Sequence, residues 1–299
     1  MLSDGVLFFP VTPFDSDDRI DPALLERHVG ERVADGAAAV FAACGTGEFH
    51  ALSHAEYEVA VAAAVSATAG AVPVVSGTGG PLGHARECAR SAERLGADGL
   101  LVMPPYLVGG PQAGLVAYVE AIAAVTSLPL VVYHRGNAQF TPDSIRALLR
   151  IPSVVGIKDG VGDIALAQQF VRVAATSGRE VLFFNGLLTA ELSQAAYRAV
   201  GVPLYSSAVF AMAPDIATAF YTAYRDGDAE RTAGLIDDFY SPLVRLRDET
   251  PGFAVSLIKA GLRLSGLAVG PVRAPLTDPS PEQTDRLARL LDRGRELVA

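Results

Sequence analysis

One lysine in the chain lies where a buried strand is predicted to end. Residues 154–157 form an apolar run, and the chain continues through Lys158 and Asp159 into a segment with two glycines. Apolar runs of this kind are typical of strands in parallel sheets, and glycine marks the turn that follows. Burial disfavours a charged ammonium, so a buried lysine tends towards a free amine that can attack a carbonyl group. The pattern therefore indicates a Schiff-base enzyme, with Lys158 as the nucleophile. The alternative is a structural lysine that extends to the surface or pairs with Asp159.

Short β-rich runs alternate with helical patterns over the first two thirds of the chain. Strands are predicted at residues 6–9, 38–42, 72–75, 99–103, 130–133, 154–158, 181–184 and 204–206. Helices are predicted between them at about 22–34, 55–67, 84–95, 114–125, 142–149, 164–175 and 190–200. Strands that alternate with helices form right-handed βαβ units and a parallel sheet, and eight such strands close a barrel. The predicted fold is α/β, a (β/α)8 TIM barrel.

The pattern changes after Pro214. A helix at about residues 215–224 is interpreted as the eighth helix of the barrel, and helices at 229–247, 253–264 and 281–297 follow without a strand between them. We therefore predict a barrel catalytic domain at residues 1–226 and a C-terminal helical region at residues 227–299.

Catalytic groups of this fold gather at the carboxyl ends of the strands, and polar residues occur there in this chain. Strand two is followed by Gly45-Thr46-Gly47, where backbone N–H groups can approach a carboxylate closely. The alternative is an ordinary tight turn with a solvated Glu48. Strand seven ends in Asn185 and strand eight in Ser206, and both are candidate substrate ligands.

Strand five contributes a phenol and a guanidinium. Tyr133 could relay protons to Lys158 on the next strand, and Arg135 could hold a carboxylate through two hydrogen bonds. Each residue alone is more often structural, as a buried tyrosine or a surface arginine. His134 is excluded as a candidate, because neighbouring side chains on a strand point to opposite sides.

Composition restricts the partners and the compartment. The net charge of -9 and the pI near 5.1 argue against nucleic acid or an anionic membrane surface as a partner. The apolar stretch at residues 59–75 is interrupted by glycine and proline and does not predict a membrane span. Cys44 and Cys88 lack zinc-type spacing and are too few for a disulfide framework, so a reduced cytoplasm is expected. The first residues show no secretory signal pattern.

Motifs along the whole chain resemble one enzyme superfamily. They are Phe9-Pro10-Val11-Thr12-Pro13-Phe14, Gly45-Thr46-Gly47-Glu48-Phe49, Val132-Tyr133 with Arg135 and Asn137, Gly156-Ile157-Lys158-Asp159-Gly160-Val161-Gly162-Asp163 and Tyr205-Ser206-Ser207-Ala208-Val209-Phe210. The set resembles the dihydrodipicolinate synthase/N-acetylneuraminate lyase superfamily of lysine-dependent barrels. The resemblance implies that Lys158 forms the Schiff base, Tyr133 relays protons and the turn at residues 45–47 binds the carboxylate of a keto acid.

Two departures from the sequence pattern of the synthases indicate which branch of the superfamily the chain resembles. The synthases carry two adjacent threonines in the strand-two turn, whereas this chain has Gly45-Thr46, and they carry a second tyrosine where this chain has Leu107 after Pro105-Tyr106. At both places, and in the Lys158–Asp163 run, the chain is similar to the 5-dehydro-4-deoxyglucarate dehydratases. Those enzymes carry Asn-Arg-Asp-Asn after the tyrosine, where this chain has His134-Arg135-Gly136-Asn137.

The resemblance implies a Schiff-base dehydratase and decarboxylase. It would convert the sugar diacid 5-dehydro-4-deoxy-D-glucarate to 2,5-dioxopentanoate, carbon dioxide and water, with no metal or organic cofactor. It also implies a homotetramer, for which the apolar and aromatic residues at Tyr106-Leu107 and Phe239-Tyr240 are candidate contacts. Two other readings stay open: a related class I 2-keto acid aldolase or lyase, and a non-catalytic barrel that binds sugar acids.

Overall fold

The protein forms a closed barrel of eight parallel strands in chain order, seen in a computed structural model that describes residues 4–299. The strands are β1 Leu7–Phe8, β2 Ala39–Ala42, β3 Val74–Gly80, β4 Gly99–Pro105, β5 Leu130–His134, β6 Val154–Asp159, β7 Leu182–Asn185 and β8 Leu204–Ser207. β1 pairs with both β2 and β8, and this second pairing closes the barrel. The predicted TIM barrel is confirmed.

Helices connect the strands on the outside. They are α1 Pro22–Ala34, α2 His54–Thr68, α3 Leu82–Arg94, α4 Gln112–Ala123, α5 Pro142–Leu148, α6 Ile164–Ala175 and α7 Gln194–Ala199. α8 Val209–Met212 and α9 Pro214–Asp226 follow β8. Short 3-10 turns lie at Phe49–Ala51 and Ala190–Leu192, so the helix predicted at 190–200 begins as a 3-10 turn. α2 starts at a capping box in which the Ser53 hydroxyl accepts from the Glu56 N–H and the Glu56 carboxylate accepts from the Ser53 N–H.

The remaining helices pack against α8, α9 and one another. They are α10 Ala229–Leu235, α11 Ser241–Arg247, α12 Phe253–Leu264 and α13 Pro281–Val298, with a π-helical turn at Ile236–Tyr240 joining α10 to α11. α13 packs against α9 and α12, and its buried Leu287 and Leu291 belong to the same apolar core as the barrel helices. The core is therefore continuous across residue 226, and the division of the chain there stays a prediction.

The strands are buried on both faces, as expected for a parallel sheet inside a shell of helices. One face packs against the helices in the large core. The other fills the barrel interior with a smaller cluster that includes Phe9, Phe41, Tyr133 and Phe184. Of the helices in residues 4–299, none has the length and apolar character that crossing a bilayer requires.

The two segments expected at a subunit contact differ in exposure. Tyr106 and Leu107 are 66% and 77% exposed, as a surface contact would need. Phe239 and Tyr240 are fully buried in the π-helical turn and pack inside the protomer. The expectation for Phe239-Tyr240 was wrong, because the rings fill the space between the C-terminal helices and α9.

Candidate active site

Strand register places the two chemically reactive side chains side by side. Tyr133 of β5 pairs directly with Lys158 of β6, and Lys158 pairs with Phe184 of β7. Residues paired in register on neighbouring strands point to the same face of the sheet. All three side chains therefore enter the barrel near its carboxyl end, the end where catalytic groups gather in this fold.

The amine of Lys158 lies among aromatic rings. Its Nζ is 3.9 Å from the ring centroid of Phe9, 4.4 Å from that of Tyr133 and 5.5 Å from that of Phe184. The rings attract a cation, but burial disfavours the charge more strongly. The pKa of Lys158 is lowered to about 7, chiefly by burial; Cys44 opposes this shift and the Arg135 guanidinium contributes to it. A large share of the amine is therefore unprotonated at neutral pH and able to attack a carbonyl.

Neither structural alternative for Lys158 fits the geometry. The residue is 5% exposed, so it does not extend to the surface. The Asp159 carboxylate accepts hydrogen bonds from the Tyr197 hydroxyl at 2.5 Å and from the Val161 N–H at 2.8 Å. Within residues 4–299, Lys158 takes part in no salt bridge. The lysine is thus directed into the barrel without a carboxylate partner there.

Tyr133 is oriented by two neighbours. Its hydroxyl donates to the Gly186 carbonyl at 2.8 Å and accepts from Arg135 Nη1 at 3.0 Å. Burial raises the pKa of Tyr133, and the Arg135 guanidinium opposes that rise. The phenol therefore keeps its proton at neutral pH, in a position to transfer it to a group bound at Lys158.

Two glycines leave space for these side chains. A Cβ at Gly186 would lie 2.6 Å from Cγ of Lys158 and closer still to Cε. A Cβ at Gly160 would lie 2.8 Å from the Tyr133 hydroxyl oxygen. Any larger residue at either position would displace the reactive group.

A cavity of about 570 Å³ opens above the lysine. Of the residues predicted as site residues, those that line it are Gly45, Thr46, Tyr133, Arg135, Lys158 and Ser206. The Ser206 hydroxyl lies 3.4 Å from the Asn185 carbonyl, to which it donates. The described chain thus brings residues from β5, β6, β8 and the turn after β2 to one cavity.

Gly47 and Asn185 lie outside this cavity lining. The Gly47 carbonyl accepts from the Thr12 hydroxyl at 2.7 Å beneath the turn. The Asn185 amide donates to the Ala190 carbonyl and to Ser193 Oγ, and its oxygen accepts from the Leu187 N–H. The Asn185 side chain therefore holds the segment after β7, in place of the substrate contact predicted for it.

Glu48 is buried, so the solvated glutamate considered for this turn is wrong. Its Oε1 lies 2.6 Å from Lys259 Nζ, and both side chains are fully buried. Its Oε2 accepts from the Arg273 N–H at 2.8 Å, and Lys259 also donates to the Pro271 carbonyl at 2.9 Å. This pair ties the turn at residues 45–47 to the segment that follows α12.

Sequence reasoning missed a second arginine at the cavity. Arg247, at the end of α11, lines it and donates to Thr189 Oγ1 at 2.7 Å. Its Nε lies 2.7 Å from Asp248 Oδ1. The side chain is only 16% exposed, so it packs at the cavity wall. No spacing signal in the sequence places Arg247 at this cavity, because its position there depends on the tertiary packing of the C-terminal helices.

Comparison with known proteins identifies the family. The model of the dihydrodipicolinate synthetase family matches residues 2–293. The chain belongs to the dihydrodipicolinate synthetase family.

Relatives and solved structures agree with this assignment. A Streptomyces griseus protein named "Probable 5-dehydro-4-deoxyglucarate dehydratase" is 54% identical over 297 residues, which are 99% of this chain and 93% of that protein. A protein of the same name from Azotobacter vinelandii is 45% identical over 97% of this chain and 95% of its own length. The crystal structure of dihydrodipicolinate synthase from Oceanobacillus iheyensis is 26% identical, with a TM-score of 0.89 over 97% of this chain and 96% of that chain.

Proposed function

We propose that this protein is a lyase that converts 5-dehydro-4-deoxy-D-glucarate to 2,5-dioxopentanoate, carbon dioxide and water. The observation that carries the proposal is the buried Lys158 amine, with a pKa of about 7, beside the Tyr133 phenol in the cavity at the carboxyl end of the barrel. The relatives named as 5-dehydro-4-deoxyglucarate dehydratases, at 54% identity and below, support the choice of substrate.

Lys158 begins the reaction by attacking the ketone beside one carboxylate of the substrate. Loss of water from the adduct gives an iminium, which makes the adjacent methylene acidic. Tyr133 transfers protons during these steps, because its hydroxyl is held by Gly186 and Arg135 near the amine. Ser206, whose hydroxyl lines the same cavity, is the second group placed to take part.

The iminium then drives two eliminations. Removal of a methylene proton gives an enamine, which expels the β-hydroxyl group as water and leaves an iminium conjugated to a carbon-carbon double bond. Loss of the far carboxylate as carbon dioxide sends its electron pair through this conjugated system to the nitrogen. Protonation and hydrolysis release 2,5-dioxopentanoate and restore the Lys158 amine. The lysine itself supplies the electron sink, so these steps call for no metal or organic cofactor.

The cavity offers different contacts to the two ends of the diacid. The turn at Gly45 and Thr46 suits the carboxylate beside the ketone, because backbone N–H groups can approach there without a bulky side chain. Arg135 and Arg247 line the other parts of the cavity, and a planar guanidinium can bind a carboxylate through two hydrogen bonds. Local cations of this kind are needed to attract a dianion to a protein of net charge -9.

We further infer that the protein works as a cytoplasmic homotetramer. The exposed apolar segment at Tyr106, Leu107 and Val108 is a candidate subunit contact, since these side chains are 66%, 77% and 68% exposed. Sedimentation velocity at micromolar concentration should show a tetramer, and a monomer alone would contradict this part of the proposal.

The experiment that tests the function is product analysis. Incubation with 5-dehydro-4-deoxy-D-glucarate should release carbon dioxide and 2,5-dioxopentanoate in equal amounts. Pyruvate among the products would instead indicate an aldolase. Binding of the diacid without turnover would indicate a sugar-acid-binding barrel.

A further inference from the structure

A cluster of two histidines and a cysteine lies outside the active-site cavity, between α2 and α3. Its members are His54, at the first position of α2, and His84 and Cys88 of α3. One ligand atom from each, two ring nitrogens and the sulfur, lie within 4.8 Å of one another. The proposed reaction uses none of the three.

The two sulfur-to-nitrogen distances match the edges of a tetrahedral site. A zinc ion about 2.3 Å from a thiolate sulfur and about 2.0 Å from an imidazole nitrogen sets the two ligand atoms about 3.5 Å apart. Cys88 Sγ lies 3.4 Å from His84 Nε2 and 3.8 Å from His54 Nδ1. These separations lie on either side of the expected value.

The contacts of His54 Nε2 leave Nδ1 directed towards Cys88, whose sulfur is the hydrogen-bond partner of that nitrogen. Its Nε2 lies 3.1 Å from Ser91 Oγ and 3.3 Å from Glu58 Oε1. The Ser91 hydroxyl itself donates to Glu58 Oε1 at 2.6 Å, so both neighbours accept a proton from Nε2. The Nδ1 lone pair is then directed towards Cys88. A carboxylate that orients a histidine in this way is the usual outer contact of a metal-bound imidazole.

The scaffold and its surroundings suit ion binding. His84 and Cys88 are four residues apart on one face of α3, and α2 supplies His54 from a second helix of the barrel shell. Cys88 is buried, whereas the His54 side chain is 34% exposed and leaves a route for an ion. Thiolate and imidazole ligands select zinc and similar soft ions over magnesium or calcium.

From this geometry we propose that His54, His84 and Cys88 bind one Zn²⁺ ion per chain, with a fourth position open to water. The ion would join the start of α2 to α3 next to the segment that lines the active-site cavity, since the Phe49 ring lies 5.7 Å from the His84 ring. The full ligand set is not visible in the sequence, because His54 and Cys88 are 34 positions apart and meet only when the two helices pack.

Cobalt is the probe of choice because Co²⁺ bound to a thiolate gives a charge-transfer absorption band in the near ultraviolet. Titration of the full-length, reduced protein with Co²⁺ should produce this band with one equivalent per chain, and Zn²⁺ should abolish it by displacement. Cys88→Ser should lose the band, and His84→Ala should weaken Co²⁺ binding by at least about tenfold. His50→Ala is the matched control, since His50 is exposed and outside the cluster, and it should bind Co²⁺ as the parent does.

Two outcomes of the Co²⁺ titration would contradict the proposed site. Absence of the band in the parent protein would overturn the proposal. Persistence of the band in Cys88→Ser would place the ion at Cys44, the other thiol, and would overturn it equally. Should Cys88→Ser fail to fold by circular dichroism, His84→Ala decides, because unchanged Co²⁺ affinity in that variant contradicts the site.

Discussion

Replacement of Lys259 by methionine tests how the C-terminal helices support the active-site turn. Lys259 lies on α12 and its ammonium is 2.6 Å from the carboxylate of Glu48, which directly follows the turn at residues 45–47. Both side chains are fully buried. Methionine keeps the length and the packing of the lysine stem but removes the charge. The variant therefore leaves the Glu48 carboxylate without its cation in the core.

The expected cost is large because the remaining charge has no access to water. Removal of one partner from a buried ion pair destabilises a protein by about 3–5 kcal/mol. Replacing both charges is far less costly, and in Glu48→Gln/Lys259→Met the glutamine oxygen can still accept from the Arg273 N–H. The Pro271 carbonyl loses its donor in both variants, so the double variant should lose about 1–2 kcal/mol.

Urea denaturation of the parent, both single variants and the double variant measures these differences as a double-mutant cycle. We expect a coupling energy of at least about 2 kcal/mol between Glu48 and Lys259. We also expect Lys259→Met to raise KM more than it lowers kcat, because it displaces the turn that we propose as the binding site of a substrate carboxylate. The supporting role of the Glu48–Lys259 pair would be contradicted by additive losses of unfolding free energy in the double variant, or by a loss below about 1 kcal/mol in Lys259→Met.

Three further substitutions test single parts of the site. Tyr133→Phe keeps the ring and should slow turnover by about two to four orders of magnitude, and near-full turnover would make the tyrosine structural. Gly186→Ala should displace Lys158 and abolish its trapping by pyruvate, whereas Gly30→Ala, where a Cβ meets nothing within 4 Å, should leave trapping unchanged. Arg135→Lys should weaken diacid binding by about 1.5–3 kcal/mol in calorimetry, with pyruvate trapping intact, and the opposite pattern would reverse the assignment of the two carboxylate ends.

The barrel and its reactive pair were predictable because their signals are local. Lys158 ends an apolar run, and Tyr133 ends a predicted strand. Each pattern indicates a side chain at the carboxyl end of the barrel. The alternation of side chains along a strand also excluded His134, whose Nδ1 accepts from the Phe140 N–H on the outer face. Periodicity and strand ends thus predict which face a residue occupies.

The errors concern residues whose roles depend on long-range packing. Asn185 was correctly placed at the end of a strand, but its amide is bound by the segment at residues 190–194. Glu48 is buried only because Lys259 of α12 reaches it from 211 positions away along the chain. Arg247 contributes to the cavity through the same packing of C-terminal helices. No pattern within a single segment contains that information.

Covalent trapping tests directly whether Lys158 forms the Schiff base. The protein is incubated with pyruvate, reduced with borohydride, digested and analysed by mass spectrometry. The chain has only two lysines, so an adduct on a lysine side chain lies either at Lys158 or at Lys259. We expect the added mass at Lys158 alone, with labelling that increases as the pH rises through about 7, because the amine loses its proton there. Labelling at Lys259, or no labelling at any pH, would contradict this expectation.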